Sequence, residues 1–156
     1  PHQPLRRPPL KVAEIATRRR RLVSLLYEVL VILALTIFLF VLPVALFSGV
    51  SQLMPGPLLL WLYLFLLLGS YFVWCWIKAG QTLAMKTWRL WVVDASTQGP
   101  LRPLQAVVRY GMGWIFWPTG LAFLWSFLDP DAQFLHDRIA GTRILYEPKP
   151  KTPAQA

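Results

Sequence analysis

An acid inside a long apolar run is where chemistry in this chain is first to be sought. Glu28 is the only charged residue between Leu22 and Phe47. An ionisable group at such a position in lipid costs at least ~2–3 kcal/mol unless paired or hydrated, so it is turned to a bundle interior or a cavity. Residues 21, 24 and 28 share one helical face at spacings of three and four, with Thr36 two turns further. Arg21 is about 10 Å from Glu28 along the axis. Arg21, Ser24, Glu28 and Thr36 therefore form a polar stripe pointing away from lipid, and Arg109 in a later apolar block is the natural opposite charge. The stripe has two readings. One is a buried Glu28–Arg109 (or Arg21) pair that fixes helix register. The other is a protonatable carboxylate or cation site in a transport path. The first is preferred, because neither an internal repeat nor a second acid within a span accompanies Glu28.

The remaining polar groups give weaker signals. His136-Asp137-Arg138 lacks a nucleophile or metal partner and is no catalytic constellation. With Asp94 it is read as a cytoplasmic clasp, Asp137 pairing to Arg89, Arg102 or Arg143. No His, Cys or carboxylate cluster has metal-ligand spacing. Gly80-Gln81-Thr82 is not a phosphate loop. No enzyme activity, metal or cofactor is expected. The single Cys75 lies in an apolar block and reads as a small buried hydrophobe.

The elements that position these residues are apolar blocks. The chain is 56% hydrophobic and 14% aromatic, with blocks at Leu22–Phe47, Leu58–Ile77 and Ala106–Leu128. About 20 residues cross the roughly 30 Å hydrocarbon layer, so the first two blocks are expected to span as helices, at about 22–47 and 58–77. The first block is too long for a signal's apolar core and reads as a retained span. Pro43 is tolerable there as a kink. Between the spans, residues 48–57 carry no charge, whereas Arg18–Arg21 precede the first span and Lys78 closes the second. That bias makes 48–57 an exterior loop and puts both chain ends in the cytoplasm. It also accounts for the net charge of +9 without nucleic acid, for which no recognition module is present. Arg18, Arg19, Arg20 and Arg21 form a lipid-binding anchor, each drawn to anionic headgroups by roughly 1 kcal/mol. Trp61, Tyr63, Tyr71, Trp74 and Trp76 form an aromatic belt.

Residues 1–21 are a basic arm, 22–146 the membrane domain with cytoplasmic segments at 78–105 and 129–146, and 147–156 a polar tail. Thr82–Trp88 is expected to be a short interfacial helix, Lys86 facing headgroups and Leu83, Met85 and Trp88 entering them. Arg89–Asp94 and Thr142–Tyr146 read as extended, and pair as a small cytoplasmic β-ribbon. In Ala106–Leu128, Trp117-Pro118-Thr119-Gly120 breaks the block into two half-length helices. They suit a re-entrant or tilted hairpin. The alternative is a third full span. The fold class is an all-α membrane protein of two transmembrane helices plus this Pro-broken hairpin.

Arg21-Leu-Val-Ser-Leu-Leu-Tyr-Glu28, GQTLAMKTWRLWVVD at 80–94 and FLHDRIAGTRILY at 134–146 together resemble the RDD family of bacterial membrane proteins, from about Arg18 to Tyr146. The family is named for one arginine and two aspartates. Arg21 matches the arginine, and Glu28 stands where most members carry the first aspartate, as in a proteobacterial branch. The second aspartate corresponds to Asp137 or Asp94, with Asp137 the choice. The resemblance implies a multi-pass inner-membrane protein for which transport, including sodium–proton exchange, has been suggested.

Two functions are expected. The first is an accessory or scaffold subunit in a larger inner-membrane complex, partnered by anionic lipid and by other membrane subunits or further copies of the chain. The second is a small oligomeric ion or solute transporter using Glu28.

Overall fold

The computed structural model describes residues 14–130 and 133–148; of Ala122 the backbone alone is described. The first thirteen residues of the basic arm, with His2, and the tail from 149 onward lie outside the described residues. In chain order the elements are β1 (Glu14–Ile15), α1 (Arg18–Thr36), a π-helical segment (Ile37–Val41), α2 (Leu42–Ser51), α3 (Pro57–Lys78), α4 (Leu83–Thr87), β2 (Leu90–Asp94), α5 (Pro103–Phe116), α6 (Leu121–Leu128), α7 (Leu135–Ala140) and β3 (Thr142–Tyr146).

Residues Arg18–Ser51 run as one helix of 34 residues, and α3 has 22. At 1.5 Å per residue these reach about 51 and 33 Å, enough to cross the roughly 30 Å hydrocarbon layer. The first helix starts at Thr17, whose Oγ1 accepts the Arg20 N–H at 3.4 Å. Pro43 cannot donate an N–H to the carbonyl of Leu39 four residues earlier. The helix widens here, with the Leu42 N–H reaching back to Ile37, and the Tyr63 hydroxyl of α3 donates to the orphaned Leu39 carbonyl. A polar side chain from the neighbouring helix thus repairs a proline defect, as hydrocarbon requires. α3 also packs closely against α5. A Cβ at Gly69 would come within 2.8 Å of the Tyr110 ring, and the Tyr110 hydroxyl donates to the Phe65 carbonyl at 2.7 Å.

Gly80, at φ +68, ends the turn after α3 in the left-handed region that favours glycine. Thr82 then caps α4 by accepting the Met85 N–H at 3.3 Å. The helix expected at 82–88 is present as α4, but Met85 faces the core with 6% exposure instead of entering a headgroup layer. Its inward face is fixed by packing against α1. β2 and β3 pair antiparallel with Asp94 opposite Thr142, and β1 adds a third strand, Glu14 opposite Tyr146. The fold is mostly helical, the expected ribbon of β2 and β3 is present, and β1 makes it a three-stranded sheet where an all-α class was expected. The third strand escaped notice because two residues carry no readable alternation. The apolar block at 106–128 is two helices, α5 and α6, separated by a turn at 117–120 where Gly120 takes φ +70.

The enclosed core sits where the sheet meets α4, α5, the start of α1 and the second half of α3. Leu90, Val92, Leu101, Ala106 and Ile144 form it. Full burial of each large aliphatic side chain is worth about 1.5–3 kcal/mol.

Candidate functional site

Glu28 occupies the inward face of α1 with Arg21 and Ser24, all three buried. Its carboxylate receives the Thr82 hydroxyl and, at a long 3.5 Å, the Tyr71 hydroxyl. Tyr71 also accepts the Leu83 N–H at 3.3 Å. One carboxylate thus ties α1 to α3 and to the cap of α4. The polar stripe ends there: Thr36 turns its hydroxyl back to the Ile32 carbonyl at 2.8 Å, which satisfies it within its own helix.

Arg109 is engaged elsewhere. Its Nη1 pairs with Asp137 Oδ1 and donates to Thr142 Oγ1 at 2.9 Å. Both partners of the ion pair are buried, Arg109 at 5% and Asp137 at 0% exposure. The guanidinium also lies over the Trp76 ring, 4.8 Å from its centre. His136 Nε2 is 3.6 Å from the same Asp137 oxygen, and its imidazole stacks on Phe134. Burial, then the charges of Arg109 and Arg21, hold His136 well below the ordinary histidine range and so neutral. Arg21 lies over Phe134, 5.7 Å from the ring centre.

The sequence reading joined Glu28 to Arg109 or Arg21, and Asp137 to Arg89, Arg102 or Arg143. The structure pairs them otherwise, and among the described residues Glu28 forms no ion pair. The cause is helix packing, since α5 lies against α3 and α7 while α1 lies against α4. Arg109 consequently meets α7. The clasp residues also separate. Asp94 accepts the Ser96 N–H at 2.8 Å and hydroxyl at 2.6 Å, which hold its carboxyl at about 2. Exposed Arg102 stands 3.6 Å from it. Arg138 bonds Asp129, Nε to Oδ2 at 2.9 Å. Asp94, His136 and Asp137 are all buried, but Asp94 in its own turn and the other two beside Arg109.

Of the arginine anchor, Arg18 donates to the Ser126 carbonyl at 3.1 Å and Arg20 covers the Tyr146 ring at 3.8 Å. Trp61 and Trp74 are exposed, whereas Trp76 is buried beneath Arg109 and belongs to the core instead of the belt. Sequence reasoning missed Tyr71, Thr82, Trp76 and Thr142. The Thr82 hydroxyl meets a partner 54 residues away, and spacing carries no mark of that. The sequence reading placed it only as the first residue of a short helix.

Between α1 and α5 lies a cavity of about 450 Å³ whose wall includes Arg21, Ser24, Glu28, Arg109 and His136 beside many apolar and aromatic groups. Among the described residues no group of three His, Cys or acidic side chains is placed to hold a metal ion.

The model of the RDD family matches residues 15–141. The chain belongs to the RDD family. Family membership, with two helices long and apolar enough to cross a bilayer, marks it as a membrane protein. This RDD chain is also similar to an uncharacterized protein of Rickettsia prowazekii (strain Madrid E), 36% identical over 81 residues, 51% of this chain and 44% of that relative. The match thus spans less than half of the relative's length. No solved structure matches. Within the RDD match, Arg21, Glu28, Arg109 and Asp137 line or back one enclosed region, whereas Asp94 serves a turn.

Proposed function

We propose that this RDD protein is an accessory or scaffold subunit of a larger inner-membrane assembly, with both ends cytoplasmic. The observation that carries the reading is how its interior polar groups are used. Glu28 is bonded by Thr82 and Tyr71, and Arg109 by Asp137 and Thr142. Each set ties separate elements together. Meanwhile the long helices present large apolar side chains outward along their length, Leu30 at 62% and Leu62 at 51% exposure among them. In lipid such surface is free to pack against other helices.

Pairing of β1 with β3 supports the topology. The strand before the first span and the strand after α7 lie side by side, so an even number of crossings separates them. Two spans satisfy that count when α5 and α6 form a re-entrant hairpin. Arg18–Arg21, Lys78, Lys86 and Arg89 then share the cytoplasmic side, and the uncharged turn near 52–56 the exterior.

The test is extraction from native membranes in minimal detergent. Co-purification with a defined set of membrane proteins is the expected result. A homogeneous, unaccompanied protein would sink the subunit reading. A second reading, a cation or proton transporter, is favoured by one observation, that Glu28 lines the cavity. It predicts ion flux in proteoliposomes of the purified chain, abolished in Glu28→Gln. Flux that survives this substitution removes the carboxylate's role.

A further inference from the structure

The cavity between α1 and α5 has a closed end and an open side. Met85, Leu90, Phe134 and Ile144 close it towards the sheet, and all four are buried. On the open side stand Val29 of α1 and Pro118 after α5, both exposed. Val29 lies about 12 Å along α1 from Arg21 at 1.5 Å per residue. One leaflet is half of the roughly 30 Å hydrocarbon layer, so an opening at that depth gives onto lipid chains. Whatever enters there comes from within the bilayer.

The wall meets it with carbon. Phe72, Trp114 and Trp117 contribute rings, and Leu25, Ile32 and Leu68 aliphatic groups. The polar groups that back the wall are buried and turned to protein. Glu28 faces the hydroxyls of Thr82 and Tyr71, Arg109 pairs with Asp137, and His136 stacks on Phe134. Arg21 is itself only 1% exposed. A cavity with such a wall stays dry and takes apolar guests. Folded interiors leave few voids larger than a water molecule. A volume of about 450 Å³ is instead that of a ligand site, within the usual ~300–1,000 Å³. α1 lines it from Arg21 to Ile32, about 16 Å, a length suited to an extended chain.

We propose that this cavity takes up one acyl chain of a bilayer lipid, which enters between Val29 and Pro118 and lies along α1 against Leu68 and Phe72. The headgroup stays outside and is not selected. The chain fills the space between α1 and α5, so that a lipid becomes part of the tertiary structure. This site stands apart from the subunit reading and survives its failure.

The experiment uses the full chain in vesicles that contain a photoactivatable probe, with cross-links assigned to residues by mass spectrometry. The probes are phosphatidylcholine, phosphatidylglycerol and a free fatty acid, each with a diazirine near the end of one acyl chain. Buried Leu68 and its neighbour in the wall, Phe72, are expected to be labelled as well as outward Leu30 and Leu62. The two phospholipids should label Leu68 within twofold of each other, and the free acid no more strongly. Val29→Trp narrows the mouth at an exposed position, and Gly113→Leu fills the wall. Each should cut labelling of Leu68 and Phe72 at least fivefold and leave Leu30 unchanged. A Cβ at Gly113 meets the Trp117 ring at an ordinary 3.6 Å, so α5 accepts a side chain there, and Val29→Trp carries the test where the larger residue does not fold. Label confined to the outward residues, full labelling of Leu68 in the folded variants, or a several-fold preference for one headgroup or for the free acid would each overturn the proposal. So would loss of label at Leu68 as protein density rises, the mark of a second copy in the cleft.

Discussion

The outer length of the two long helices and the end that carries the sheet obey opposite solvent rules. Along the helices, large side chains open outward: Val50 is 86% exposed, Leu58 82% and Leu26 67%. At the sheet end, Leu90 and Val92 are 1% exposed and Phe134 2%. The first region is shaped for hydrocarbon, which gives apolar groups no reason to leave its contact. The second is an ordinary core, closed by the expulsion of water. Fold specificity therefore resides at the sheet end, where charges are buried in pairs and each element has one seat. The outer helices need only satisfy their backbone, and they do so even at Pro43.

The sheet end is most vulnerable at the Arg109–Asp137 pair. Asp137→Ala leaves a buried guanidinium without its counter-ion, a loss on the order of 3–5 kcal/mol. Denaturant unfolding in detergent should show a large fall in midpoint, and Arg109→Met with Asp137→Leu should recover much of it. An unchanged midpoint in the single variant would place the fold's anchor elsewhere. In the outer region the largest single effect belongs to Tyr63→Phe, which strands the Leu39 carbonyl. An acceptor left without a partner in hydrocarbon costs about 1–3 kcal/mol, so the thermal midpoint should fall by less than for Asp137→Ala, and hydrogen exchange near residue 43 should rise.

Acid sharpens the contrast, because the shifted groups outside the spans sit at the sheet end. His136 is held well below its usual range, so the unfolded chain takes up a proton near pH 6.5 that the folded one refuses. Stability is full above that pH and declines as pH falls below it. Asp94, at about 2 when folded, contributes above its ordinary value and loses that contribution as pH falls from about 4 towards 2. An unfolding series from pH 8 to 4 should therefore slope downward below 6.5, and His136→Gln should flatten it. The smallest effect is expected from Leu30→Ala on the outward face. Exposed positions of this kind stay within about 0.5 kcal/mol, and a shift much beyond that would reveal a helix partner bound there.

Much of the architecture was legible because the bilayer imposes length. Leu22–Phe47 and Leu58–Ile77 could be little else than spanning helices. Pro118 and Gly120 announced the break in the third block, and the β-branched runs ending at Asp94 and Tyr146 announced the ribbon. The pairing of charges was not legible. Arg109 and Glu28 are opposite charges in two apolar blocks, yet which face of α5 Arg109 occupies depends on how α5 seats against α3 and α7. That seating rests on contacts such as Tyr110 over Gly69, which no spacing rule records. Hydroxyl partners were the least visible, since Thr82 and Tyr71 look like the first residue of an interfacial helix and a belt residue until the helices are assembled.

The pairing of Glu14 with Tyr146 also sets an order of events in time. A ribosome moving at about 5–20 residues per second needs on the order of 10 s to make the roughly 130 residues between Ile15 and Leu145. Throughout that interval the two long apolar helices are complete while the first strand waits for the last. Closure of the sheet therefore comes after both long helices are made, and a nascent chain truncated before Thr142 would leave the sheet end open to chaperone or protease.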